Sequence, residues 1–397
     1  TIFKKVVIMK KTLAAIAVLG AFAGSAFAAD VQVYGRIDTG ISVHDYDMTD
    51  YDGVKTDGTD WGMVSGGSTT SRVGIKGSEV ISEGLKIGFN LEAKLNSDTG
   101  SAFADGFDRE SVLWAETDYG TFYAGKIGTM WSDGGATNFW AGNYVAFGTG
   151  ANDGMAQGTG FMVAQSRVAN RISYKSPTFA GFTAYAEYSF GTGTKDADDK
   201  TVYNENTSKD NRPAALGLDY HNGAFGMGLV VTYTNEASIS TKTGLCEDQE
   251  DEYTINLGTS YDFGVAKVML AGQYFKNADK VGYFNDEDFG VLPTGDEYKG
   301  YALTLGTDVP AWGGTWTAAL SYADGESDAD VVSGTDVYKN LEFKGYNAGL
   351  MYKYPLSKRT RVYAGVGYNK MEADADNWSD TAEYESTRAV VGMAHFF

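Results

Sequence analysis

Apolar and polar residues alternate with a period of two from Val31 to the end of this chain. Val31, Val33, Ile37, Ile41 and Val43 share one parity; Gln32, Arg36, Asp38, Ser42 and His44 share the other. Leu85, Ile87, Phe89, Leu91, Ala93 and Leu95 repeat the pattern against Lys86, Asn90, Glu92, Lys94 and Asn96. Successive side chains of a strand point to opposite faces, so such segments are strands with one greasy and one wet face. The pattern predicts sixteen of them: 31–43, 68–77, 85–96, 109–118, 121–127, 167–175, 181–190, 213–221, 225–234, 253–262, 264–275, 299–308, 314–323, 343–354, 360–370 and 386–397. Each is near the roughly 9–11 residues that a tilted membrane strand needs. In 109–118 the parity is ambiguous, because Arg109 and Glu116 fall on opposite faces.

The connections alternate in length. Tyr119-Gly120, 221–224, 310–313 and 355–358 read as tight turns. Long loops are predicted at 44–67, 97–108, 128–166, 191–212, 235–252, 276–298, 324–342 and 371–385. Short turns on one side and long loops on the other is the outer-membrane arrangement, and an even strand count puts both termini on the periplasmic side. Tyr188, Phe190, Tyr220, Tyr233, Tyr274, Trp316, Tyr322, Tyr352 and Tyr354 fall near strand ends, where amphipathic rings meet the membrane interface. A soluble β-sandwich also alternates, but it needs neither sixteen strands nor eight long loops on one side. After residue 28 no apolar run is long enough for a membrane helix, so a spanning structure must close into a barrel to satisfy its backbone.

The first segment places the chain outside the cytoplasm. Lys10 and Lys11 precede an apolar stretch at 13–22, and Ala26-Phe27-Ala28 presents the small residues a signal peptidase reads. The apolar part is about 10 residues, short of the roughly 20 of a membrane anchor. Residues 1–28 are therefore expected to be an N-terminal extension and cleaved signal peptide, and 29–397 one barrel domain. The formal charge of −20 opposes nucleic-acid binding, which needs clustered Lys and Arg. The single cysteine, Cys246, permits no internal disulfide and reads as a loop thiol.

Several stretches resemble the general, non-specific porins of Gram-negative outer membranes, of the proteobacterial type. Val33-Tyr34-Gly35-Arg36-Ile37-Asp38-Thr39-Gly40 is similar to the family's first strand, and Ser71-Arg72-Val73-Gly74-Ile75-Lys76-Gly77 to its second. Tyr119-Gly120-Thr121-Phe122-Tyr123-Ala124-Gly125-Lys126 resembles the fifth, whose motif usually ends in Gly-Arg. Ser166-Arg167-Val168-Ala169-Asn170-Arg171-Ile172-Ser173-Tyr174 resembles the sixth. Phe397, with His395, Met393 and Val391 on its parity, is similar to the C-terminal signal for barrel assembly. The resemblance runs through the chain, most loops excepted. It implies an all-β fold: a sixteen-stranded antiparallel transmembrane β-barrel with an inward-folded third loop.

In that family the third loop narrows the channel and sets acids against wall arginines. Here the loop is 128–166, with only Asp133 and Asp153 as acids. Arg72, Lys126 and Arg167 match the wall positions, and alternation adds Arg171. The wall outnumbers the loop in charge, so a waist positive on balance is expected, beneath an acidic rim at 45–60, 196–199, 247–252, 286–288 and 372–376. Trp131, Phe139, Trp140, Tyr144, Phe147 and Phe161 lie in the same loop; such rings more often anchor a loop to the wall than stack on sugars.

Function follows as an expectation: a water-filled channel for passive diffusion of small hydrophilic solutes and ions, in the outer membrane of a Gram-negative cell. A sugar-stacking specific channel and a non-conducting structural or adhesive barrel remain as alternatives. The resemblance implies a homotrimer. Outer-membrane lipid and lipopolysaccharide are the expected surroundings. No cofactor, catalytic residue or metal site is nominated, because His44, His221 and His395 stand far apart and no ligand spacing or nucleophile motif occurs.

Overall fold

The computed structural model describes residues 31–103, 106–132, 135–148, 160–163, 167–191, 211–236, 239–240, 246–247, 250–285, 290–293, 297–327, 331–333 and 336–397. Among the described residues helix is confined to two four-residue segments, at Trp140–Asn143 and Gly282–Asn285. Its strands are β1 (Gln32–Thr49), β2 (Lys55–Ser65), β3 (Arg72–Ser82), β4 (Leu85–Lys94), β5 (Glu110–Thr117), β6 (Gly120–Gly128), β7 (Arg167–Lys175), β8 (Phe182–Ser189), β9 (Arg212–Asn222) and β10 (Phe225–Asn235). After the two-residue strands β11 (Ile239–Ser240) and β12 (Cys246–Glu247) come β13 (Glu252–Asp262), β14 (Lys267–Ala278), β15 (Tyr298–Ala311) and β16 (Gly314–Ser327). The short β17 (Val331–Ser333) and β18 (Asp336–Tyr338) precede β19 (Glu342–Pro355), β20 (Thr360–Asp374) and β21 (Ala382–Phe396). One four-residue helix, α1 (Trp140–Asn143), follows β6.

Every neighbour in the main sheet is antiparallel, and β21 pairs with β1 from Arg36↔Phe396 to Thr49↔Glu383, which closes the barrel. The sheet holds seventeen strands, but β2 and β3 share one place in it. The upper part of β1 pairs with β2, from Thr39↔Ser65 to Thr49↔Lys55, and its lower part with β3, from Gln32↔Lys76 to Arg36↔Arg72. They are one descending strand interrupted at residues 66–71, so the barrel has sixteen positions, as the alternation predicts. The extended β1–β2 hairpin corrects the expectation of a loop over 44–67. Most β2 positions are exposed, and a ribbon wetted on both faces has no reason to alternate.

Alternation decides which face meets what. On β10, Leu229, Val231 and Tyr233 are 37–46% exposed, while Val230 and Thr234 between and beyond them are fully buried. The exposed parity forms a continuous apolar outer wall that also carries Ile41, Leu113, Ile172, Leu216, Leu257, Leu305 and Leu350. A patch of that extent requires hydrocarbon, not water, around it. Aromatic pairs bound it. Trp312, Trp316 and Tyr352 cluster at the short-turn end, with ring centroids 6.0 and 4.8 Å apart; Tyr301, Tyr322 and Tyr346 cluster towards the loops at 6.1 and 5.3 Å. Trp316 and Tyr322 are six residues apart on β16, about 20 Å along a strand, near the apolar band height of about 25 Å in such barrels.

The turns obey backbone sterics. β15 runs through Pro310 to Ala311, so the turn expected at 310–313 shrinks to Trp312-Gly313, both at positive φ (53° and 80°). Two positive φ values match the twist of a two-residue hairpin. Between β6 and β7 the ladder is bulged: Gly125 pairs with Arg171 but Ile127 with Val168, and Asn170 takes a φ of 50°.

Candidate pore constriction

Glu92 on β4 is buried and collects donors from three directions. Arg72 Nη1 lies 3.2 Å from its Oε1, Arg109 Nε lies 2.6 Å from the same oxygen, and Tyr34 Oη donates to Oε2 at 3.1 Å. Arg72 and Glu92 both face inward, as do Glu110, Val112 and Glu116 on β5, which settles the ambiguous parity of that strand. Arg171, also buried, forms an ion pair with Glu187 on β8. Arg167 stands beside Arg109, Glu92 and Glu110, but the bulge at Asn170 breaks the alternation that linked it to Arg171. Lys126 departs from expectation. It pairs with Ser111, on the outward parity of Phe122 and Ala124, and so does not share the inner face with Arg72.

Buried wall acids also receive the segment that follows β6. Glu110 Oε1 accepts from Gly128 N at 3.4 Å and Ala136 N at 2.6 Å; Thr137 Oγ1 donates to Gly128 O at 2.9 Å or Glu187 Oε1 at 2.5 Å. Further on, Tyr144 Oη donates to Asp219 at 2.5 Å, and Gln273 of β14 both accepts from Val163 N and donates to its carbonyl at 2.7 Å. Inward glycines admit the rings. A Cβ on Gly228 would stand 2.4 Å from Tyr144, and one on Gly258 2.6 Å from Tyr144 and 3.1 Å from Trp140. Trp131, Phe139, Trp140, Tyr144 and Phe161 are all buried in one cluster with wall residues. Phe147 packs against Met351, Tyr363 and Val390, with Lys353 Nζ 5.6 Å above its ring. Asp133 and Asp153 lie outside the described residues.

At the other end of the chain, Val391, Met393, His395 and Phe397 are exposed on the outer parity. Phe397 exchanges two backbone hydrogen bonds of 3.1 Å with Gly35, so the last residue is stitched to the first strand.

A closed sixteen-position barrel with charged groups gathered on its inner wall invites comparison with known channels, and the model of the Gram-negative porin family matches residues 13–374. The chain belongs to that family. An outer membrane porin protein of Bordetella pertussis is 31% identical over 425 aligned residues, covering 98% of this chain and all of the relative. Outer membrane porin protein 32 of Delftia acidovorans is 28% identical, covering 91% of this chain and 90% of its own length. Among solved structures, the anion-selective porin from Comamonas acidovorans superposes with a TM-score of 0.64 at 24% identity, covering 93% of this chain and all of the other. The protein is thus an outer-membrane β-barrel porin.

Sequence reasoning missed several inner-wall groups of this porin. Arg36, Arg361 and Arg388 face inward on β1, β20 and β21, and parity with Arg72 and Tyr363 was the available signal. Glu92, Glu110 and Glu187 went unnominated because the charge balance was drawn between wall and loop. The wall carries its own acids, on strands that sequence separates by up to 95 residues.

Proposed function

We propose that this porin is a general diffusion channel whose basic waist favours small anions. One observation carries the reading: Arg72 and Arg109 share the carboxylate of Glu92, and Arg36 and Arg361 join them on the inner wall, whereas the whole of 128–166 has only two acids, Asp133 and Asp153. In a narrow passage such charges act at a few ångströms, whereas rim acids are screened within about 8–10 Å. The segment after β6 is read as the loop that folds inward and narrows the barrel, because its rings occupy inward glycine positions. Those rings are buried rather than presented to water, which favours general diffusion over sugar stacking. The structural neighbour from Comamonas acidovorans is named anion-selective, the same preference.

Trimerisation belongs to this reading. One solved neighbour, an outer membrane protein of Vibrio cholerae, is described in a trimer form. The outer wall here has a groove across β4–β8 lined by Ala115, Ala124 and Ala186, where small side chains allow close approach of a second copy. Signal cleavage after Ala28, and bridging of the acidic rim to lipopolysaccharide through divalent ions, complete the proposal.

In planar bilayers the purified porin should insert in conductance steps, with a zero-current potential of anion sign in a salt gradient. Arg36→Gln with Arg72→Gln should move that potential towards cations. Neutralising the same number of acids in 247–251 should do much less. A silent protein refutes the channel, and a dominant rim refutes the basic waist.

A further inference from the structure

Between β2 and β3 the chain leaves the wall, and one carboxylate holds it inside. Asp38 of β1 is fully buried. Its Oδ2 accepts from Ser68 N at 3.1 Å, Ser68 Oγ at 2.8 Å and Thr69 N at 2.9 Å, and its Oδ1 accepts from Tyr363 Oη at 2.5 Å. Its main chain grips the same segment: the carbonyl accepts from Gly66 N at 3.0 Å, and the amide donates to Ser71 Oγ at 2.9 Å. The fit is tight, since a Cβ on Gly67 would stand 2.4 Å from Tyr363 Oη. A buried carboxylate without donors is costly, so turn and carboxylate hold each other in place.

The turn, once held, offers acceptors to arginines from three strands. Thr70 O accepts from Arg36 Nε at 3.0 Å and Arg72 Nε at 3.3 Å, and Ser68 Oγ accepts from Arg361 Nη2 at 3.2 Å. These are side chains with several rotatable bonds, and a fixed acceptor at Nε of Arg36 and Arg72 and at Nη2 of Arg361 limits where each charge can go. We propose that Asp38 is the positioning residue of the channel's basic wall: by holding the 66–71 turn inside the barrel it aims Arg36, Arg72 and Arg361 at one place. The turn is then a second element of the waist, opposite the loop after β6. Both reach one cluster of Met351, Tyr363 and Val390: Phe147 of that loop packs against it, and Gly67 of the turn lies against Tyr363 and Val390. This proposal rests on the anion-favouring channel reading above.

The sign of one measurement separates positioning from plain charge. Asp38→Asn removes a negative charge, which by itself would raise anion preference. It also replaces one of the two acceptor oxygens with an amide NH2, so the donors of Ser68, Thr69 and Tyr363 are no longer all accepted, the turn loosens and the arginines disperse. The proposal therefore expects the anion-to-cation permeability ratio in a bilayer to fall, by about twofold or more. Ser68→Ala and Tyr363→Phe leave the charge unchanged and should lower the ratio in the same direction by less. They also decide the matter if Asp38→Asn does not assemble. A ratio that rises in Asp38→Asn, or that stays put in both neutral variants, overturns the proposal. Wild-type protein without conductance or anion preference would instead sink the underlying reading.

Discussion

Glu236 shows how a single loop carboxyl responds to its setting. It follows β10, where burial, Asp279 and Asp251 together push it up to about 8. Asp251 accepts from Asn235 Nδ2 at 3.0 Å and from Glu236 N at 3.1 Å, so the two acids are held close. The folded value lies above the ordinary 4.5, so the folded state favours the protonated form. Stability from this group is complete below pH 4.5 and is lost as pH rises towards 8. Amide exchange at 234–236 and 251–254, corrected for intrinsic rates, should therefore be slower at pH 5 than at pH 8.5. Glu236→Gln should flatten that difference; an unchanged slope would place its origin elsewhere. The wall charges show the complementary case. Glu92 is shared by two arginines, so removing it would strand buried cations, an expensive outcome.

At the scale of elements, the strands and the segment after β6 are joined by shape. Glycines on the inner faces of β9, β10, β13 and β15 make the hollows that receive Met130, Tyr144, Trp140 and Ala146. Gly258→Val should force Tyr144 and Trp140 off the wall, at about 1–3 kcal/mol for overpacking. Single-channel conductance should change and the thermal midpoint should drop; a variant identical to wild type in both would show that the segment is not seated there. The strand boundaries were largely readable, because 225–234, 253–262 and most other spans alternate cleanly through the apolar band. Reading failed where the environment stopped being two-faced. β2 is wetted on both sides, and Lys126 and Arg167 flank a bulge that shifts parity by one residue.

For the molecule as a whole, closure is the stabilising event. β1 and β21 pair along fourteen registered positions from residues more than 330 apart, which joins the first and last strands of the main sheet into a closed barrel. Barrels of this kind retain their structure in mild detergent, so the porin should migrate as a compact trimer near three times the monomer mass before boiling and as a monomer after it. Truncating Phe397 should lower the yield of that band, because the exchange with Gly35 and the ring beside it are lost. A single monomeric band from gently extracted protein, supported by native mass analysis, would contradict the trimer.

Period-two alternation by itself determined the strand number, the outer and inner faces and the membrane as the solvent, because each depends only on neighbours along the chain. Family-like motifs around Arg36, Arg72 and Phe397 added the kind of channel. Tertiary structure alone decided which charges meet. Glu92 lies 20 residues from Arg72 and 17 from Arg109, and Tyr363 is 325 residues from Asp38. Closing the barrel brings the last pair together, and no local pattern encodes that. Bulges decided the rest: one extra residue in β7 changes the parity of what precedes it, a displacement set by the partner strand rather than by the segment itself.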